Sequence, residues 1–449
     1  MFRGKTENSD SVMMQMLSVL APLLLSGLFQ QLYNMLDGMI IGHYLGLRAQ
    51  AVISSSASNL VNIFNNLSAG MCVGALVRIS QAYGGGNDRK AREYVKNALV
   101  LIALIDLFCA FVYCLFGREI LLFLNTPREL QEASYSYLRG YAIGFIPYSF
   151  FMLLNSAMRG LGESKRPSFM LVLNYGINIG LDVLFIIALR RGMDSLALIY
   201  LCTYFCSCVL SARLMQADYR LFDRDYRISF RNMASIISVG IPSTLISLSY
   251  ALSTTVLQMK MNTFGAVVLA ANNVTGRIDG LMWIVMSALS TSLVTLTSRY
   301  CGAMRYDKVR ELVRSGLLFA FAFTSVFYLA VTALKPLLLS MFTADMEVRA
   351  LAERILSQMM LFLFFYPFLE VYSSVLKGTG HTIIPTCITL ICVCGIRFIA
   401  VFVFGDYIQS VFQLNYAYPA VWGVTSLALI VRYCLLMRHP EKSLRPLEV

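Results

Sequence analysis

The chain has 449 residues, of which 57% are apolar and only 14% charged, with a mean hydropathy of +0.66. A globular domain carries about 25% charged residues, so a water-soluble enzyme is nearly excluded and a polytopic helical membrane protein is expected. The net charge of +12 comes from 37 Lys and Arg against 25 Asp and Glu; in a membrane protein such an excess collects in cytoplasmic loops, and no nucleic-acid partner is expected.

A bilayer span needs about 20 apolar residues. In chain order the apolar runs predict spans near 12–38, 50–77, 93–116, 134–156, 168–189, 194–215, 234–261, 267–297, 312–334, 352–376, 383–404 and 414–437. Polar punctuation separates them: the turn from Gly84 to Asp88, the segment from Gly162 to Pro167, and the charged run from Tyr219 to Arg231 near mid-chain. That run divides the chain into an N-lobe over 1–217, a linker over 218–232 and a C-lobe over 233–449. Sorted onto alternate sides of the membrane, 25 Lys and Arg fall on the side of the two termini and 10 on the other. Both termini are therefore expected in the cytoplasm. Residues 1–10 are polar and the next apolar run continues through Pro22 without a small-residue cleavage pattern, so no cleavable leader is expected.

The halves repeat. Arg159-Gly160-Leu161-Gly162 returns as Lys377-Gly378-Thr379-Gly380 and Pro167 as Pro385, both at an offset of 218. Gly84 matches Gly302 at 218, Asp88 matches Asp307 and Gly46 matches Gly265 at 219, and Pro22 matches Pro242 at 220. Six spans per half is an even number, so the two halves share one orientation. Two six-helix bundles, a 6+6 parallel repeat about a pseudo-two-fold axis along the membrane normal, are expected in an all-α membrane protein with 12 transmembrane helices. That architecture implies transport. Gly4-Lys5-Thr6 lacks the glycine a phosphate loop needs five residues earlier, so an ion gradient rather than ATP is the expected driver. The eleven cysteines mostly sit in apolar runs without a CxxC, and His43, His381 and His439 lie far apart. No metal site, disulfide or cofactor is expected beyond a coupling Na⁺ or H⁺.

Ionisable residues inside spans are expensive and are functional candidates. They are Asp37, Asp106, Asp182, Arg277, Asp279, Glu370 and Arg397. Gln30, Tyr33, Asn34 and Asp37 share one helical face, and Pro22 is expected to kink their helix and gate it. Asn174, Asn178 and Asp182 form a second face in the fifth span, with Asn155 of the fourth span available to complete a shell. Carboxylate and amide oxygens suit Na⁺, and a buried carboxylate suits H⁺. Asp106 has no polar companion three or four residues away, and Arg277 and Asp279, two apart, cannot face each other and read as interface residues. Glu370 lies about 10 Å and Arg397 about 21 Å from the cytoplasmic ends of their helices, which leaves their pairing open. At the 219 offset Arg397 aligns with Asn178. Arg397 is thus expected to take the place of a cation in the C-lobe, and Glu370 to attract cationic substrate.

These residues resemble those of a known family. The segments Tyr33-Asn34-Met35-Leu36-Asp37-Gly38, Ser80-Gln81-Ala82-Tyr83-Gly84, Asn178-Ile179-Gly180-Leu181-Asp182, Asn262-Thr263-Phe264-Gly265, Cys394-Gly395-Ile396-Arg397 and Tyr418-Pro419 are similar to those of bacterial multidrug and toxic compound extrusion (MATE) transporters, nearest the DNA-damage-inducible F branch. The resemblance implies a secondary antiporter, not an enzyme, in the bacterial inner membrane. It would export small organic, often cationic, compounds in exchange for Na⁺ or H⁺, as a monomer among membrane lipids. It implies a cation site at Gln30, Tyr33, Asp37, Asn155, Asn178 and Asp182, with Pro22 at the kink. Tyr200 stands where the family usually has Thr, and the seventh span, from Pro242 to Tyr250, lacks the acid some relatives carry. The competing readings are a lipid-linked saccharide flippase of the same superfamily and, in another class, an ion channel or receptor.

Overall fold

The computed structural model describes residues 11–45, 56–123, 128–192, 194–219 and 228–443. Within them twelve helices are long and apolar enough to cross a membrane. They are α1 (Val12–Leu45), α2 (Leu60–Gly84), α3 (Asp88–Phe123), α4 (Gln131–Gly160), α5 (Lys165–Ala188), α6 (Ser195–Tyr219), α7 (Phe230–Phe264), α8 (Ala266–Gly302), α9 (Tyr306–Phe342), α10 (Met346–Gly378), α11 (Ile383–Val403) and α12 (Val411–Arg438). Gly46 and most of the linker expected over 218–232 lie outside the described residues.

Several helices outrun their apolar spans. α3 has 36 residues and α9 has 37, about 54 Å of helix against a hydrocarbon core of about 30 Å. The excess is polar and amphipathic. At the start of α3 the Asn87 carboxamide oxygen accepts from the Lys90 amide at 2.9 Å, and before α10 the Asp345 carboxylate accepts from the amides of Glu347 and Val348. Such caps satisfy donors the helix itself leaves open.

Burial follows the repeat. Across their most apolar stretches α2 and α8 are 61% buried, whereas α3 and α9 are 22% buried. The first pair is central to its bundle and the second peripheral. The outer faces of α3 and α9 display Leu104, Leu107, Phe108 and Phe111, and Leu318, Val326 and Leu329, a surface matched to lipid rather than water. Helical distortions also recur. α1 closes in a π-helical turn at Ile41–Leu45, α5 in one at Val183–Ala188, and α11 carries two, Leu390–Cys394 and Ile399–Val403. Buried Ile41, Ile186, Leu196 and Ile199 pack these ends of α1 and α5 against α6.

Contacts divide the chain into two compact units, and the divisions fall inside helices. One unit holds Ala21–Thr244; the other holds the chain up to Leu20 and from Leu245 onward. The breaks lie two residues from Pro22 and from Pro242. In the first unit the opening half of α7 packs on α2 with almost no side chain between them. A Cβ on Gly74 would come within 2.5 Å of the Ile236 carbonyl oxygen, and one on Gly70 within 2.8 Å of the Gly240 carbonyl oxygen. Small residues four apart allow such backbone approach in membranes. Arg78 fixes the contact, donating to the Ser235 carbonyl at 3.1 Å and the Ser238 hydroxyl at 3.2 Å. In the second unit the opening turns of α1 are held by α8: the Ser292 hydroxyl donates to the Met16 carbonyl at 3.2 Å, and the Tyr300 hydroxyl to the Gln15 side chain at 2.6 Å.

Candidate functional site

In the first unit, α1 and α5 bring two carboxyl groups together. Asp37 stands beside Asp182, close enough for the two carboxyl groups to act on each other's charge, and beside the Tyr200 phenol of α6. Tyr33, one turn before Asp37, lies beside the same phenol. The face predicted on α1 therefore meets the face predicted on α5 through two aspartates, with a tyrosine from α6 at the junction. The Tyr33 ring stacks on Tyr175 of α5 at 5.2 Å between centroids, and Tyr141 of α4 meets Tyr200 edge-on at 5.9 Å. The aromatic contacts hold the helices that carry the acids.

Asn178 lies one turn before Asp182 and is buried, as are Asn174 and Asp182. Its amide nitrogen donates to Thr203 at 3.2 Å, and that of Asn174 donates to Ser207 at 2.9 Å. Both amides thus turn their nitrogens toward α6. Oxygens are left over: Asp37 Oδ1, Asn178 Oδ1 and Asp182 Oδ2 are buried without a hydrogen-bond partner. Buried polar oxygens left open in this way are uncommon, and three on adjoining turns of two helices are what a cation-accepting site presents. The donor set is oxygen-only, which suits a hard cation or a proton.

Two predicted members stand apart. Asn155 is fully buried and donates to the Phe151 carbonyl of its own helix at 2.7 Å. Gln30 is exposed on α1. No hydrogen bond among the described residues ties either to the carboxyl pair. Thr203 and Ser207 escaped the sequence reading, although Tyr200, Thr203, Tyr204 and Ser207 mark one helical face of α6 at spacings of three and four. Asp106 is fully buried on α3 and faces Ser149 of α4.

The second unit is built differently at the corresponding place. Arg397 of α11, 3% exposed, donates from Nη1 to Ser253 at 2.9 Å and Thr254 at 3.3 Å, both on α7. Its guanidinium lies over the Tyr418 ring of α12 at 4.9 Å. It does not pair with Glu370. That carboxylate accepts from Tyr366 at 2.5 Å and Ser374 at 3.3 Å. A cleft of about 370 Å³ opens beside Arg397, walled by Trp283, Trp422, Tyr250 and Tyr418, with Asp279 on its lining. Tyr366 packs on Trp283 and Trp422, so Glu370 stands one side chain behind the wall. Asp279, read from sequence as an interface residue, is the acid on the cleft, and it accepts from the Trp283 indole at 3.1 Å.

Comparison with known proteins returns the same two halves of the chain. The family profile described as MatE matches twice, at residues 22–184 and 242–403, which are the two halves of the repeat. The "Probable multidrug resistance protein YoeA" of Bacillus subtilis is 24% identical over 440 residues, covering 95% of this chain and 94% of its own. The "Probable multidrug resistance protein NorM" of Thermotoga maritima is 22% identical over 409 residues, covering 90% and 88%. Among solved structures, the MATE transporter VcmN of Vibrio cholerae in its bent form superposes with a TM-score of 0.85 at 19% identity, over 96% of this chain and 98% of its own. A MOP-superfamily transporter from Pyrococcus furiosus superposes with a TM-score of 0.86 at 19% identity, over 98% and 100%.

Proposed function

Because the chain belongs to the MATE family of multidrug efflux transporters, we propose that it is a secondary antiporter that expels small amphiphilic organic compounds in exchange for a cation bound at Asp37 and Asp182. The observation that carries the reading is the pairing of these two carboxyl groups, which lie close enough to act on each other's charge. Two adjacent carboxyl groups cannot both ionise cheaply, so a shared proton relieves them, and this favours H⁺ over Na⁺ as the coupling ion. Tyr200 and Tyr33 orient the pair, and the open oxygens of Asn178 and Asp182 extend it.

The same geometry supplies a mechanism. With the proton bound, α1 and α5 are drawn together. With it lost, two like charges face each other and repel, which favours separation of the helices. α1 carries Pro22 inside it, and a proline removes a backbone hydrogen bond that would resist bending there. Proton binding and release would thus be read out as bending of α1 at Pro22. This is the local event that a rocking exchange between inward-open and outward-open states requires. In the second unit a fixed cation, Arg397, takes the place of a mobile one, so one unit carries the coupling ion. Glu370 adds negative field behind the aromatic wall for compounds that carry a positively charged group. The Lys and Arg distribution supports an inner-membrane protein with both termini in the cytoplasm. The test is efflux of a fluorescent organic cation from proteoliposomes under separately imposed H⁺ and Na⁺ gradients. Efflux driven by the H⁺ gradient alone is expected; a Na⁺ gradient acting alone as driver would assign the site to Na⁺, and efflux under neither would overturn antiport.

A further inference from the structure

The cleft of the second unit has features that the cation-exchange reading does not use. Arg397 is almost fully buried, yet its partners are two neutral hydroxyls and a π-face. None of the ion pairs among the described residues involves it. A buried cation without an anion is costly, and inside a membrane it marks a ligand site by default. The guanidinium sits on the lining of a cleft of about 370 Å³, within the range of small-molecule pockets. The walls are aromatic, and they include both tryptophans of the chain, Trp283 and Trp422. Asp279 shares the lining, and among the described residues only the neutral indole of Trp283 donates to it.

We propose that this cleft binds planar aromatic compounds that carry both a carboxylate and an amine. The carboxylate pairs with Arg397, the ring lies among Trp283, Trp422 and Tyr418, and the ammonium group is met by Asp279. The chemistry selects against simpler ligands. An aromatic cation alone meets the buried guanidinium, and an aromatic anion alone meets Asp279; a compound with both charges satisfies both walls. An uncharged ring leaves each charge as poorly compensated as before.

The proposal is tested on purified protein in detergent, without any gradient, so its outcome is separate from that of the coupling reading. Both tryptophans report on the cleft, and L-kynurenine, a planar aromatic amino acid whose absorption overlaps indole emission, is the probe. Saturable quenching is expected. The methyl ester, which lacks the carboxylate, and the Nα-acetyl form, which lacks the ammonium, should each bind about tenfold more weakly or worse, the worth of one charged hydrogen bond. Arg397→Gln should weaken kynurenine to the level of the ester and leave ester binding unchanged; Asp279→Asn should do the same with respect to the acetyl form. If Arg397→Gln fails to fold, Arg397→Lys serves, keeping the charge while losing the planar fork, with an intermediate loss expected. Absence of saturable quenching, equal binding of acid and ester to the unaltered protein, or kynurenine binding indifferent to both the Arg397 and Asp279 changes would overturn the proposal.

Discussion

Tyr200 and Tyr418 lie 218 residues apart and meet opposite charges: the Tyr200 phenol stands beside the Asp37 carboxyl, whereas the Tyr418 ring lies 4.9 Å beneath the Arg397 guanidinium. One half of the repeat uses the polar tip of the tyrosine against an acid, and the other uses its π-face against a base. The switch follows from what stands opposite. Where α5 presents Asn178 and Asp182, α11 presents Arg397, and the α7 residues at the 220 offset from Tyr33 and Asn34 are Ser253 and Thr254, the two hydroxyls that hold the guanidinium.

This contrast is testable on the aromatic residue alone. Tyr418→Phe keeps the π-face and should leave the thermal unfolding midpoint nearly unchanged. Tyr418→Leu removes it and should cost about 1–2 kcal/mol, the worth of a desolvated cation–π contact. Thermal unfolding in detergent, followed through tryptophan emission, distinguishes the two. Equal midpoints for Phe and Leu would show that the ring contributes packing only.

The oxygens around Asp182 give a graded prediction. Asp182→Asn should abolish cation or proton uptake measured by calorimetry. Asn178→Ala removes one open oxygen and should weaken uptake about tenfold. Thr203→Val leaves that oxygen in place but releases the amide that aims it, so a smaller loss is expected. Unchanged uptake in both Asp182→Asn and Asn178→Ala would move the site elsewhere.

The close approach of α2 and α7 predicts a position-specific response to glycine replacement. Gly74→Ala forces a Cβ against the Ile236 carbonyl oxygen and the Gly240 backbone and should destabilise by about 1–3 kcal/mol, as overpacking does. Gly423→Ala in α12 meets nothing within 4 Å and should be neutral or stabilising by about 0.5–1 kcal/mol, from better helix propensity. Expression level and unfolding midpoint of the two variants check this directly; a Gly74→Ala protein as stable as Gly423→Ala would contradict the packing.

Much of this was legible in the sequence because membrane helices obey simple periodicities. Hydropathy located all twelve spans, but it stopped α3 at 116 where the helix continues to Phe123, and began it at 93 where the helix begins at Asp88. Hydropathy measures apolarity, and these end turns are polar or mixed. The faces of Asp37 and of Asn178 with Asp182 followed from helical spacing alone. That the two acids come together depends on how the helices are packed, which spacing does not give. Asp279 was passed over because Arg277 lies two residues away and looked like a companion at the interface. Two residues on a helix turn through about 200°, so Arg277 is exposed while Asp279 points into the cleft. Arg397 was legible as an oddity from its depth and its alignment with Asn178, but its hydroxyl partners on α7 were not.

The central claim is that Asp37 takes up and releases the coupling ion together with Asp182. Its most direct test is gradient-driven efflux from proteoliposomes by Asp37→Asn, which keeps size and hydrogen-bonding capacity and removes the ionisable group. The account predicts a protein that reconstitutes normally, with an unchanged unfolding midpoint, and shows no efflux above the passive leak under an imposed H⁺ or Na⁺ gradient. A well-folded Asp37→Asn protein with wild-type gradient-driven efflux would contradict it.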